Sequence, residues 1–104
     1  MNGEKKMRSY KEVIKEHVSD PVEAYEYLKA SMELYEEDGD LDAFLVAIKT
    51  VAEANGGISK LAKQTNLNRQ HLYRSLSQNG NPTIRTLESV LHALGLKLSI
   101  EKAS

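Results

Sequence analysis

Side chains suited to DNA recognition are concentrated in residues 58–76. Arginine can bind guanine through two hydrogen bonds, glutamine can bind adenine in the same way, and tyrosine, serine and asparagine can bind phosphates or base edges. In a short helix that starts after Asn68, the predicted base-reading residues are Arg69, Gln70, Tyr73 and Arg74. The predicted phosphate contacts around them are Ser59, Lys60, Lys63, Asn68 and Arg85. Arg69 lies at the start of the helix and suits either a base or a phosphate.

The distribution of charge along the chain also favours DNA as the partner. Residues 54–87 contain five basic side chains and no acidic one. The formal net charge of −1 hides a difference between the two parts of the chain, because residues 1–55 carry −6 and residues 56–104 carry +5. A basic surface attracts phosphates and an acidic surface attracts a basic protein. We therefore expect double-stranded DNA to bind the second part and a basic protein to bind the first.

Two short helices separated by a tight turn are needed to hold these side chains. Gly57 is the predicted N-cap of the first helix and Asn68 of the second. Asn66 tolerates the left-handed backbone that reverses the chain between them. In the loop after the second helix, Asn79 and Gly80 are expected to have positive φ angles. The predicted inward side chains of the pair are Ile58, Leu61, Ala62, Leu72 and Leu76.

Start and stop signals predict four further helices. Ser9 and Glu12 have the spacing of a capping box, and Asp20 stands before a proline. Asp40 can cap the most apolar segment of the chain. The predicted helices run from Ser9 to about Ser19, from Asp20 to about Glu36, from Leu41 to Ala54, and from Thr83 to Gly95.

The helix predicted after Asp20 has an apolar stripe and an acidic opposite side. The stripe consists of Tyr25, Leu28, Met32 and Tyr35. Tyr27 is expected to lie off the stripe. Tyrosine is common in protein interfaces because it offers a large area and a polar tip. The acidic side is either a solvated surface or a docking surface, and in the second case the predicted contacts are Tyr25, Tyr27 and Tyr35.

Residues 96–101 alternate between apolar and polar side chains, which is the period of a half-buried strand. The apolar positions are Leu96, Leu98 and Ile100. A lone strand has no hydrogen-bonding partner within its own chain, so we expect two copies to pair in a homodimer. Residues 1–8 are expected to be disordered. Residues 9–104 are predicted to form one all-α domain of five to six helices with a short C-terminal β-strand.

Three stretches carry a resemblance to a known family: LAKQTNLNRQHLYRSL from Leu61, NGNPT from Asn79, and TLESVLHALGLKLSIE from Thr86. They resemble the lambda-repressor-like helix-turn-helix domains, and among these the probable addiction-module antidote proteins, the antitoxins of HigA type. The resemblance covers roughly residues 20–101. It departs from the usual pattern at Asn66, where glycine is common, and at Ser75, where a larger apolar residue is common.

The resemblance implies a function. Antitoxins of this type bind a palindromic operator, repress their own operon and neutralise a cognate toxin, here a basic mRNA interferase of RelE/HigB type. Two alternatives remain open. The first is a stand-alone helix-turn-helix regulator without a toxin, which the genes beside its own would distinguish. The second is an adaptor that has kept the fold and lost DNA binding, against which the basic segment argues.

Other classes of function lack the residues they need. The chain has no cysteine, and its three histidines lack the spacing of metal ligands. No nucleophile, base and orienting group can be named together, so we expect neither an enzyme nor a cofactor or small-molecule substrate. No apolar run approaches the roughly 20 residues that span a membrane, and the first ten residues lack the apolar centre of a signal peptide. A cytoplasmic location is expected.

Overall fold

The computed structural model describes residues 9–104, so the predicted disorder of residues 1–8 lies outside the described residues. Within the described range the chain forms α-helices and no β-strand. The helices are α1 (Tyr10–His17), α2 (Pro21–Asp38), α3 (Leu41–Ala54), α4 (Gly57–Thr65), α5 (Arg69–Ser75) and α6 (Ile84–Ala93). The expected all-α class with five to six helices is confirmed, since the described residues form six, and the expected C-terminal strand is not seen.

Local capping chemistry explains where most helices begin. The capping box at α1 is present, because the Glu12 backbone N–H donates to Ser9 Oγ at 3.1 Å and the Ser9 N–H donates to Glu12 Oε1 at 3.0 Å. Asp40 caps α3 by accepting from the Ala43 N–H at 3.2 Å. Asp20 makes no such side-chain bond, so proline at the first position and Glu23 in the first turn are the remaining start signals of α2.

Helix α3 is the centre of the molecule. It packs against α1, α2 and α4, and α4 in turn packs against α5 and α6. Leu45, Ile48 and Val51 are completely buried, as is Val18 from the turn between α1 and α2. The side-chain amide of Asn55 donates to the carbonyl oxygens of Val51 at 2.8 Å and Val18 at 3.3 Å. This residue therefore ties the N-terminal helices to the end of α3, directly before the α4–α5 pair.

The inward face of α2 differs from the predicted stripe. Tyr25 is 43% exposed, whereas Tyr27 is half-buried against the core. The side of α2 that meets α3 is centred on Ala24 and Leu28, which are buried, and Tyr27 lies beside Leu28 on that side. Burial raises the pKa of the Tyr27 hydroxyl, and the nearby Tyr10 adds to the increase. Tyr35 stacks on the ring of Phe44, with 6.5 Å between ring centroids, and so also supports the core.

The predicted strand at residues 96–101 is wrong for the single chain. Gly95 has φ 82°, and the Leu96 N–H donates to the Leu91 carbonyl at 2.7 Å, which closes the end of α6 and packs Leu96 on the core. Beyond it, Leu98 is 37% exposed and Ile100 is 98% exposed. A strand needs a neighbouring strand for its backbone hydrogen bonds, and the other described elements are helices.

Candidate nucleic-acid interface

The turn between α4 and α5 has the predicted chemistry. Asn66 is in the left-handed region with φ 59°, and the Leu67 N–H returns to the Ala62 carbonyl at 3.1 Å. Asn68 caps α5 by accepting from the His71 N–H at 2.8 Å. Helix α4 starts one residue earlier than expected, because Gly56 and not Gly57 is the N-cap, with φ 112°. The three residues between the helices thus reverse the chain while the Asn68 side chain satisfies a backbone N–H at the start of α5.

Helix α5 is fixed through its inner side. Leu72 and Leu76 are fully buried, and Ser75 is 8% exposed. The Ser75 hydroxyl donates to the His71 carbonyl at 2.9 Å, so the small polar side chain at this position is satisfied within its own helix. The α4 side chains that complete the contact are Ile58, Leu61 and Ala62. One side of α5 is therefore held by the core, and the opposite side is exposed.

The four predicted base-reading residues lie together on the outer surface of α5, with Gln70 and Arg74 opposite Leu72 and with Arg69 and Tyr73 beside them. They line one open concavity of about 490 Å³, and all four are exposed: Arg69, Gln70, Tyr73 and Arg74. Helices α4 and α5 carry four cationic side chains and no carboxylate. This surface offers hydrogen-bond donors, an aromatic ring and positive charge, which are the groups that bind phosphates and base edges.

Arg69 and Ser59 form a direct link between the two helices. Arg69 Nε donates to Ser59 Oγ at 2.7 Å. A guanidinium carries four further N–H bonds on its terminal amino groups, so this contact orients the side chain and leaves those groups to face a ligand. The structure thus joins a predicted base reader to a predicted phosphate contact.

The remaining predicted phosphate contacts are distributed over three segments. Lys60 and Lys63 are exposed on α4, and Arg85 is exposed in the first turn of α6. Asn68 uses its side-chain oxygen as the cap of α5, which leaves its amide N–H bonds for a phosphate.

Sequence reasoning missed Lys49. It lies on α3, yet its Nζ is 4.1 Å from the centroid of the Tyr73 ring and 3.3 Å from Ser77 Oγ. The only signal in the sequence is a lysine that, together with Thr50, interrupts the apolar run from Phe44 to Ala52. Such a lysine is equally typical of the exposed side of an amphipathic helix, so its contact with α5 becomes visible only in the structure.

The loop after α5 is attached to α3. The Asn79 backbone N–H donates to Asp42 Oδ1 at 2.9 Å. Asn79 has the expected positive φ of 64°, but Gly80 is not among the residues with positive φ. Gly80 is needed for a different reason, because a Cβ at this position would overlap the carbonyl oxygen of Ser75.

We expect Gly80→Ala to lower the free energy of unfolding by about 1–3 kcal/mol, because the added methyl group has to displace backbone at the end of α5. Circular dichroism melting measures the effect, at about 4–8 °C per kcal/mol for a domain of this size. The control is Asn81→Ala, an exposed position in the same loop, which should melt with the wild type. Equal melting temperatures for both variants would contradict the overlap.

The other features of the described residues do not indicate a different kind of site. A second concavity of about 540 Å³ between α4 and α6 is lined by Gln64, Thr65, Ser89, His92 and Ala93. In the described part of the chain, no three His, Asp or Glu side chains lie close enough together to hold a metal ion. Nor does any helix of residues 9–104 have both the length and the apolar character required to cross a membrane.

Comparison with known proteins identifies the family. Residues 12–102 match the family model described as "Probable addiction module antidote protein". The chain belongs to this family. The predicted resemblance to antidote proteins is thereby confirmed, and membership implies a toxin partner and a regulatory, non-enzymatic role. The chain is also similar to an uncharacterized protein of Haemophilus influenzae, with 31% identity over 90 residues that cover 86% of this chain and 88% of that protein. No solved structure shows a significant match.

Proposed function

We propose that this protein is a sequence-specific DNA-binding antitoxin of HigA type that represses its own operon and neutralises an mRNA interferase of RelE/HigB type. One observation carries the DNA half of the proposal. Arg69, Gln70, Tyr73 and Arg74 share a single concavity on the outer side of a helix whose inner side is buried. Membership of the antidote family supports the toxin half.

In the proposed complex, α4 and α5 act as a lambda-repressor-like helix-turn-helix, with α5 in the major groove. Gln70 and Arg74 are one helical turn apart and lie nearly opposite Leu72, which is fully buried, so both reach away from the core toward adjacent base pairs. Tyr73 and Arg69 flank them. The phosphate contacts are Ser59, Lys60, Lys63, Asn68 and Arg85.

A homodimer would give this protein the symmetry of a palindromic operator. Two recognition helices that read half-sites one helical turn apart must lie about 34 Å from each other. Ile100 is almost fully exposed and Leu98 is partly exposed, and exposed apolar side chains gain free energy when a second subunit covers them. We place the subunit contact in the segment 96–101 of both copies.

The acidic N-terminal helices are the proposed toxin-binding surface. Residues 1–55 carry a net charge of −6, which complements a basic protein that binds RNA. Of the three tyrosines predicted as toxin contacts, Tyr25 offers exposed aromatic area, with Lys29 Nζ 5.8 Å from its ring centroid. Tyr27 and Tyr35 are half-buried and support α2 from beneath.

We expect Tyr25→Ala to weaken toxin binding by about 1–3 kcal/mol while leaving DNA affinity unchanged, because truncated interface tyrosines commonly cost this much. The matched control is Leu34→Ala, which removes an exposed apolar side chain from another side of the same helix. The measurement is isothermal titration with the purified product of the gene beside this one. If both variants bind like the wild type, Tyr25 is not a contact. If the wild-type protein itself does not bind the product of the neighbouring gene, the alternative of a stand-alone regulator without a toxin is favoured.

DNase I footprinting on the DNA upstream of the gene tests the repressor half. The proposal requires one protected region with two half-sites related by two-fold symmetry, about 10 base pairs from centre to centre. Protection spread evenly over the fragment would indicate non-specific phosphate binding instead.

A further inference from the structure

We propose that Lys49, which lies outside the α4–α5 pair, binds an operator phosphate and holds Tyr73 in place on the outer side of α5. The proposal rests on the proposed DNA-binding function and adds a contact from α3. The ligand is a phosphodiester oxygen of the DNA backbone, beside the groove that α5 enters.

The contacts of Lys49 place its charge on the DNA-binding side of the molecule. Its ammonium lies 4.1 Å from the centroid of the Tyr73 ring, and Tyr73 lines the concavity on the outer side of α5. The ammonium also donates to Ser77 Oγ at 3.3 Å, while the Ser77 hydroxyl donates to the Tyr73 carbonyl at 2.7 Å. Lys49 and Ser77 therefore hold Tyr73 at both its ring and its backbone.

The charge of Lys49 is not neutralised by the carboxylates on its own helix. Asp42 accepts from the Asn79 N–H, and Glu53 pairs with Lys11 at 3.6 Å and Lys15 at 3.9 Å. Within residues 9–104 no carboxylate forms an ion pair with Lys49. A half-buried ammonium that faces a ring and a hydroxyl keeps a further N–H bond for a ligand, and a phosphate supplies both an acceptor and the opposite charge.

The chemistry of Lys49 suits a contact with the phosphate backbone of DNA better than the reading of a base. The lysine ammonium is a compact charge and lacks the planar pair of donors with which arginine recognises guanine, so it binds phosphate without selecting a base. Because its ammonium is already held by the Tyr73 ring and the Ser77 hydroxyl, Lys49 gives up less side-chain entropy on binding than a fully exposed lysine does. Lys49 should thus add affinity on every sequence and should make that affinity depend on salt.

Fluorescence anisotropy of labelled duplexes tests this, with one duplex from the DNA upstream of the gene and one scrambled duplex of equal composition. Lys49→Met should weaken binding to both duplexes by a similar factor, roughly tenfold, the size expected for one charge-assisted hydrogen bond. The slope of log affinity against log salt should fall in magnitude by about 0.9, because the variant neutralises one phosphate fewer. Lys49→Arg should restore the slope, because the charge and the donors remain.

The matched control is Lys29→Met, which removes a lysine that also lies over a tyrosine ring, but on α2. It should leave the slope unchanged. Lys49→Gln gives a second neutral variant, and circular dichroism melting establishes that each variant is folded. A wild-type slope for folded Lys49→Met or Lys49→Gln, in an assay where Lys60→Ala does reduce it, would overturn the proposal while the DNA-binding function stands. Failure of the wild type to prefer its upstream duplex would instead overturn the proposed function.

Discussion

Ile100→Asp is expected to convert the proposed homodimer into a monomer. Ile100 is 98% exposed in the single chain, and burying an isoleucine side chain contributes about 1.5–3 kcal/mol, counted twice across a two-fold axis. A carboxylate in the same place would have to be desolvated next to its symmetry mate. Without the subunit contact each recognition helix binds its half-site alone, so operator affinity should fall by about 10²–10⁴-fold.

Light scattering measures the mass of the Ile100→Asp variant and anisotropy measures its operator affinity. Ala103→Asp is the control, because it introduces the same charge at an exposed position outside the segment 96–101. This variant should remain a dimer. If Ile100→Asp is also a dimer with wild-type affinity, the subunits meet elsewhere.

Gln70→Ala and Arg74→Ala are each expected to cost about 1–3 kcal/mol on the operator, which is about 5- to 150-fold in affinity. The loss on scrambled DNA should be small, since a base contact contributes to discrimination and not to general phosphate binding. Both side chains are exposed on α5 and line the same concavity. Anisotropy with the two duplexes measures the effect as a ratio of affinities.

Lys60→Ala is the control for these two variants. It lies on α4, outside the concavity, and should weaken operator and scrambled duplex alike with a flatter salt dependence. An equal loss on both duplexes for Arg74→Ala would make Arg74 a phosphate contact, and the proposed placement of α5 in the groove would then be incorrect.

The features that sequence predicted well depend on chemistry within a few residues. The capping box at Ser9, the caps at Asp40 and Asn68, and the left-handed turn at Asn66 are all local, and the bounds of α3 agree with the prediction. The grouping of Arg69, Gln70, Tyr73 and Arg74 around one concavity also agrees with their helical spacing, while their predicted role in base reading stays a prediction.

The features that sequence could not predict depend on which elements meet. The sequence of α2 is compatible with more than one apolar side. Packing against α3 decides between them, because it leaves Tyr27 half-buried against the core and Tyr25 exposed. Lys49 reaches Ser77 across 28 residues of sequence. Gly80 is required by the approach of the Ser75 carbonyl and not by its φ angle. The alternation in residues 96–101 has the period of a strand, but a strand needs a partner, and the other described elements of the single chain are helices.

The outer side of α5 is proposed to read a DNA sequence, and the affinity ratio of the intact protein tests this proposal most directly. Anisotropy at physiological salt would compare the duplex from upstream of the gene with a scrambled duplex of the same length and composition. Specific DNA-binding proteins bind their sites about 10³-fold or more tightly than other DNA, and we predict a ratio in that range. Equal affinities for the two duplexes would contradict sequence-specific DNA recognition by α5.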